Sequence, residues 1–254
     1  MPYRILWVVL GGLLANLAQA YCAKPLSVGF AEWPPYQSLH DGKYTGFDSE
    51  FIEIVSKQFA CPLLYLNMPW NAQQDSVRLG KLDLALGVTE TPERDNYAYF
   101  SEPYRQETIR LFVLADNLHK YNIASVAALK DVSFLLGAEL GFYYGPEFSD
   151  LLHDQDFAQQ VRMVIYTKIN VQKLADQRID AFIADQEVAQ YYIAQLGLSE
   201  KIVELPLIVN QSAVRVMVGK SAGSVAFVAQ LNAEISKSLK SEKYKLLQAK
   251  YLKK

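Results

Sequence analysis

The sequence is poor in the residues from which cross-linked scaffolds and metal centres are built. It has two cysteines and three histidines in 254 residues. Two thiols allow at most one disulfide, so a hydrophobic core must hold the fold. The histidines, His40, His119 and His153, lie scattered in polar stretches, which argues against a metal site. No Ser-His-Asp or Cys-His set is evident, and no cofactor is expected. There is no surplus of positive charge: the formal net charge is −2, whereas a nucleic-acid binder shows a basic excess. After the first twenty residues no apolar run approaches the roughly 20 residues needed to cross a bilayer. Repeats and low-complexity tracts are also missing.

What is present is globular in character, with 51% hydrophobic and 20% charged residues. The length suits one large domain or two small ones. Residues 1–20 have the form of a cleavable secretory leader: Arg4 ahead of an apolar core from Ile5 to Ala15, then Ala18-Gln19-Ala20 as a small-x-small cleavage site. Tyr21 stands where a lipobox needs a small residue, which argues against lipidation of Cys22. Cleavage would leave 24 basic and 27 acidic residues on a mature, exported chain. Lysines 237, 240, 243, 245, 250, 253 and 254 cluster, as on the solvated face of terminal helices. Export permits a disulfide, and Cys22 and Cys61 each precede a predicted strand. If those strands are neighbours, a Cys22–Cys61 bond closes a loop of about 40 residues and stabilises by a few kcal/mol.

Strand and helix signals alternate. Strands are expected over 25–30, 63–66, 82–88, 108–115, 132–137, 162–166, 181–184 and 202–205, and the stretch 210–218 is expected to carry the chain back to the first half. Helices are expected from an Asp48 N-cap with Phe51, Ile54, Val55 and Phe59 on one face, from an Asn71 cap to Leu79, and from a Ser125 cap to Lys130. Others are expected over 170–177, 187–196, 225–239 and 242–252. This order predicts an α/β fold of two lobes with crossings near 104–108 and 209–213. Lobe 1 would comprise 21–106 and 214–254, and lobe 2 would comprise 107–213.

In open α/β sheets ligands bind beyond the carboxyl ends of strands. The stretch Leu82-Asp83-Leu84-Ala85-Leu86-Gly87-Val88 reads as a buried strand, and it runs into Thr89-Glu90-Thr91-Pro92-Glu93-Arg94. Arginine's planar fork matches a carboxylate in bidentate fashion. Spacing alone equally allows Arg94 to pair with Glu93 or Asp95 at the surface. Trp33-Pro34-Pro35-Tyr36 and Met68-Pro69-Trp70 follow two other strand ends and could wall a pocket or pack on the surface. Asp185, at a further strand end, could be a plain helix N-cap.

The run from Asp83 to Arg94, with Phe100-Ser101-Glu102-Pro103-Tyr104, resembles the bacterial extracellular solute-binding proteins of family 3. Trp33-Pro34-Pro35-Tyr36, Gly46-Phe47-Asp48, Pro69-Trp70, Gly80-Lys81-Leu82-Asp83 and Arg178 to Asp185 extend the resemblance over nearly all of the chain after residue 24. It implies the type II periplasmic-binding-protein fold, with two hinged lobes, and a monomeric, non-enzymatic periplasmic protein that captures an amino acid for an inner-membrane ABC permease. It assigns the ligand carboxylate to Arg94, with Gly87 and Thr89 beside it, and the α-ammonium to Asp185. Trp33, Tyr36 and Trp70 would pack on the ligand side chain. Gly141 and Tyr143 stand nearest to the family's Gly-Ser/Thr pair, and Tyr143 departs from its small hydroxyl residue. Gln73 and Gln74 replace apolar residues, which loosens the helix face or puts an amide near the pocket. Aromatic walls with few further charges point to a neutral or polar ligand side chain. The same fold also serves stand-alone sensors and exported cyclohexadienyl dehydratases. For the latter, Glu32, Glu90 and Glu139 are the conceivable acids.

Overall fold

A computed structural model describes residues 24–252. The expected leader and Cys22 lie outside the described residues. Cys61, the other half of the expected disulfide, is buried.

The first half opens with β1 (Leu26–Phe30), a short hairpin of β2 (Ser38–His40) and β3 (Lys43–Thr45), and α1 (Phe47–Ser56). It continues through β4 (Leu63–Asn67), α2 (Trp70–Arg78), β5 (Leu84–Thr89), the single turn α3 (Pro92–Asp95) and β6 (Ala98–Phe100). β7 (Arg105–Leu114) leads into the second half: β8 (Leu136–Glu139), α4 (Pro146–Leu151), α5 (Gln155–Ala158), β9 (Val161–Val164), α6 (Thr167–Ala175), β10 (Ala181–Asp185) and α7 (Gln186–Gln195). The long strand β11 (Ile202–Gly219) returns, and α8 (Val225–Leu239) and α9 (Glu242–Tyr251) close on the first half. There, Tyr244 meets Phe47 and Phe51 edge-on.

The main sheet runs β4-β1-β5-β11-β7-β10-β8-β9, with β6 also on β11. β1, β4 and β5 are parallel, as are β10, β8 and β9. β1, β5 and β10 are apolar almost throughout and buried, as parallel strands covered on both faces must be. The two parallel sets are joined by one antiparallel pair. β11 pairs with β7 from Ile202 to Val214 and with β5 from Val214 to Val218. The expected lobe bounds at 106/107 and 213/214 fall inside these two strands.

Several local expectations are corrected. The strand expected over 202–205 and the returning stretch 210–218 form one strand, with register shifts between Glu204 and Asn210. The strand expected from 132 starts at Leu136, and the turn after Ser125 is a short 3-10 helix, Ala127–Asp131, with no side-chain cap. The second helix begins at Trp70, because Pro69 (φ −57°, ψ 155°) already holds the extended entry geometry; Asn71 lies inside it. Asp48 does not cap α1. Gly46 does, at φ 104°, where a Cβ would sit 2.4 Å from the Tyr36 carbonyl oxygen.

Asp48 instead faces a partner 57 residues away. Its two oxygens accept from Arg105 Nε and Nη2 at 2.8 and 2.9 Å, with both side chains essentially without solvent contact. Burial alone would lower the Arg105 pKa, but Asp48 and Tyr36 outweigh it and raise it well above the usual value. Removing one member of such a pair strands the other charge in a medium that solvates it poorly. Asp48→Ala is therefore expected to cost about 3–5 kcal/mol of unfolding free energy, measured by urea denaturation, with a loss below about 1 kcal/mol excluding this role.

Candidate ligand-binding site

A cleft lies between the halves, with about 520 Å³ of space free of protein atoms when its opening to solvent is included. Its walls come from the carboxyl ends of parallel strands, the position expected for a ligand in this architecture. Trp33 follows β1, Trp70 follows β4, Thr89 ends β5, Glu139 ends β8 and Tyr166 follows β9; each lines the cavity.

Arg94 is placed by local chemistry. Thr91 caps α3 by accepting from the Arg94 backbone N–H, and Pro92 occupies the first turn. The side chain then folds back under the end of β5. Nη1 donates to the Thr89 carbonyl at 2.7 Å, Nε to Gln74 Oε1 at 3.2 Å and Nη2 to the Gly141 carbonyl at 3.3 Å. The guanidinium also lies 5.4 Å from the Trp70 ring centre. Surface pairing with Glu93 does not occur, since Glu93 pairs with Arg78 at 3.1 Å. Arg94 is 5% exposed, and among the described residues no carboxylate lies within ion-pair distance of it. Burial lowers its pKa. The arrangement is a buried cation solvated by neutral oxygens.

The halves touch at the cavity mouth. The Gly141 carbonyl, on the loop after β8, accepts from Trp70 Nε1 at 2.9 Å and Gln74 Nε2 at 3.0 Å as well as from Arg94. Trp33 and Phe142 meet across the gap with ring centres 5.9 Å apart.

Six of the nine residues assigned to the ligand from sequence line the cavity, Trp33, Trp70, Gly87, Thr89, Arg94 and Tyr143, and so do Glu32, Gln73 and Glu139, which were singled out on other grounds. Gly87 sits at φ +72°, where a Cβ would meet the Trp33 ring at 2.8 Å. Gly141 does not line the cavity; it lines an adjoining surface pocket that shares Arg94, Phe142 and Tyr143 with it. Tyr36 and Asp185 stand behind the lining. The Tyr36 hydroxyl donates to Asp185 at 3.1 and 3.3 Å, and Asp185 Oδ1 also caps α7 by accepting from the Val188 N–H. Burial raises the Asp185 pKa, with Arg105 opposing.

Sequence reasoning missed Glu107 altogether and saw Glu139 only as a conceivable acid. Both line the cavity and both are buried. Glu107, on β7, accepts from Thr89 Oγ1 at 2.6 Å and Ser212 Oγ at 2.9 Å, while its Oε2 has no partner. Glu139 Oε2 accepts from the Thr167 N–H at 3.0 Å and hydroxyl at 2.7 Å. Burial pushes each carboxyl up to about 7; Asp185 adds to this for Glu107, and the hydrogen bonds oppose it in both. Alternation along β7 was the available signal, because Arg105, Glu107 and Ile109 all face inward. The two glutamines divide their work. Gln73 packs against Gly29 and donates to the Met68 carbonyl, and Gln74 holds Arg94 and reaches Gly141.

This is a two-sided binding cleft between two parallel strand sets of one sheet, joined by the antiparallel pair β7 and β11. The chain matches the family model "Bacterial extracellular solute-binding proteins, family 3" over residues 26–254 and belongs to that family. It is 25% identical over 182 residues to the "Probable amino-acid-binding protein YxeM" of Bacillus subtilis (strain 168), covering 70% of this chain and 66% of that protein. It is 26% identical over 172 residues to a "Probable histidine-binding protein" of Campylobacter jejuni subsp. jejuni serotype O:2, covering 67% of this chain and 63% of that protein. The match thus spans just under two thirds of each relative's length. The solved structure of an ancestral arginine-binding protein bound to glutamine superposes with a TM-score of 0.75 at 22% identity, over 91% of this chain and 99% of that one. The fold is that of the type II periplasmic binding proteins.

The raised carboxyl pKa values carry a sign. A glutamate with a folded-state value near 7 and an unfolded value near 4.5 favours the folded state fully below about 4.5 and loses that contribution as pH rises through 7. Without ligand, Glu107→Gln is therefore expected to raise the unfolding temperature relative to wild type at pH 8 and to change it little at pH 4.5. Equal shifts at both values, read by thermal melting, would contradict a buried, uncompensated carboxylate.

Proposed function

We propose that this chain is an exported solute-binding protein that captures a zwitterionic α-amino acid in the cleft and delivers it to an inner-membrane ABC importer. The observation that carries the reading is Arg94: a buried guanidinium facing a cavity, bonded to three neutral oxygens and, among the described residues, to no acid. Such a cation is stabilised by an anion of matching planar geometry, which an amino-acid carboxylate supplies. In this reading Arg94 takes the carboxylate. Asp185 takes the ammonium, which requires the Tyr36 hydroxyl to share or yield one of the two oxygens it now contacts. Trp33, Trp70 and Tyr143 wall the ligand side chain, with Gly87 and Thr89 beneath it. The two charges lie on opposite halves, so a bound zwitterion favours the closed arrangement over an open one. The leader over 1–20 directs the chain to the periplasm, where Cys22 pairs with Cys61. The division into lobes at 106/107 and 213/214 places the hinge in β7 and β11.

The two tryptophans outside the leader, Trp33 and Trp70, both line the cavity. Titration of the twenty amino acids should therefore quench or shift intrinsic fluorescence saturably for at least one of them. Arg94→Met should weaken that ligand by about 2–5 kcal/mol. A full survey with no saturable response, or an Arg94→Met protein binding as tightly as wild type by calorimetry, would refute the reading.

A further inference from the structure

The cavity is not charge-balanced. Its charged lining is Arg94 against Glu32, which is exposed, and the buried Glu107 and Glu139, three acids to one base once the two buried carboxyls, near 7, are ionised. An amino-acid zwitterion adds no net charge, so its carboxylate and ammonium leave that imbalance in place. The two buried glutamates are built into the wall rather than swept in from the rim. Glu107 is 3% exposed, fixed through Oε1 by Thr89 and Ser212, with Oε2 unpartnered. Glu139 is 7% exposed, and both hydrogen bonds it accepts are at Oε2. A buried carboxylate with spare acceptor capacity beside a ligand cavity is costly unless something positive or hydrogen-bond-donating arrives. The two stand on different elements, Glu107 on the joining strand β7 and Glu139 at the end of β8. Aromatic rings between the halves, Trp33 and Phe142, supply faces that also favour a cation.

Resting on the amino-acid reading above, we propose that the ligand carries a second positive charge on its side chain, and that Glu139 together with Glu107 selects it. The expectation of a neutral or polar side chain, drawn from the few charges recognised in the cleft, gives way to this assignment. The cleft then distinguishes a basic amino acid from its neutral isostere by leaving one or two buried carboxylates unmatched when the isostere enters. The selectivity has a pH dependence. Both glutamates sit near 7, so each is an anion above that value and neutral below it. Glu107 faces Arg94, Arg105, Asp185, Tyr36 and Tyr144, and Glu139 faces Tyr144 and Tyr192. The arginines remain cations and the tyrosines, all raised, remain neutral across this range. Asp185 is raised too, so the glutamate variants are needed to separate its titration from theirs.

The test uses two matched pairs, arginine with citrulline and lysine with norleucine, titrated by calorimetry against the leaderless chain at pH 8.5 and 5.5. The expected result at pH 8.5 is that the basic member of at least one pair binds about tenfold or more tightly than its neutral partner. That ratio should shrink at pH 5.5. In Glu139→Gln, which keeps an oxygen for Thr167, the ratio at pH 8.5 should fall by about tenfold, with folding checked by circular dichroism. Neutral partners binding as tightly as basic ones in both pairs would overturn the proposal while leaving the amino-acid reading intact. So would a ratio untouched in folded Glu139→Gln. Absence of binding by all twenty amino acids would overturn both. Should the variant not fold, the wild-type ratios and their pH dependence decide the matter alone.

Discussion

A guanidinium sealed in protein needs a counter-charge, and the way Arg105 meets that need organises both halves. It is the first residue of β7, the strand that leaves the first half. Its fork grips Asp48 on α1, and its face lies 3.5 Å from the centre of the Tyr36 ring. Tyr36 in turn holds Asp185 at the start of α7 in the second half. One buried cation thus ties together the helix packed on the first sheet, the loop after β1, the joining strands and a helix cap across the gap. Cation–π contact and a bidentate salt bridge are both directional. The loop carrying Trp33 and Tyr36 is therefore held in position from below.

Around that anchor the interior holds an unusual number of charges for so small a volume. Arg105 has Asp48, whereas Arg94 has only carbonyl and amide oxygens, and Glu107 has hydroxyls. Hydroxyl and amide partners satisfy geometry but leave charge unopposed, and in a low dielectric that residue of charge is what a ligand encounters. The first half contributes the unmatched cation and the second half contributes Glu139, with Glu107 on the strand between them.

Arg94 was legible because its placement is local: a threonine cap, a proline in the first turn and a strand end lie within six residues. The alternating order of strands and helices, the cap at Asp185 and both terminal helices were readable for the same reason. Asp48 was misread because an acid before an amphipathic run has the local form of an N-cap, while its actual partner is set by tertiary packing. Glu107 was missed because β7 starts three residues earlier than its apolar pattern suggests. The extension exists only because β11 runs alongside it, pairing Ser212 with Glu107 and Val214 with Arg105. The inward alternation of Arg105, Glu107 and Ile109 is there, but its first two members are charged, so it does not read as an apolar strand pattern.

The mouth of the cleft is closed on a main-chain oxygen. Three donors from the first half, an indole, an amide and a guanidinium, converge on the carbonyl of Gly141. A backbone acceptor is present whatever side chain occupies its position, so the neighbouring residues Phe142 and Tyr143 can drift in evolution and reshape what the chamber admits without erasing the bolt that shuts it. Shutting and choosing are thereby inherited separately.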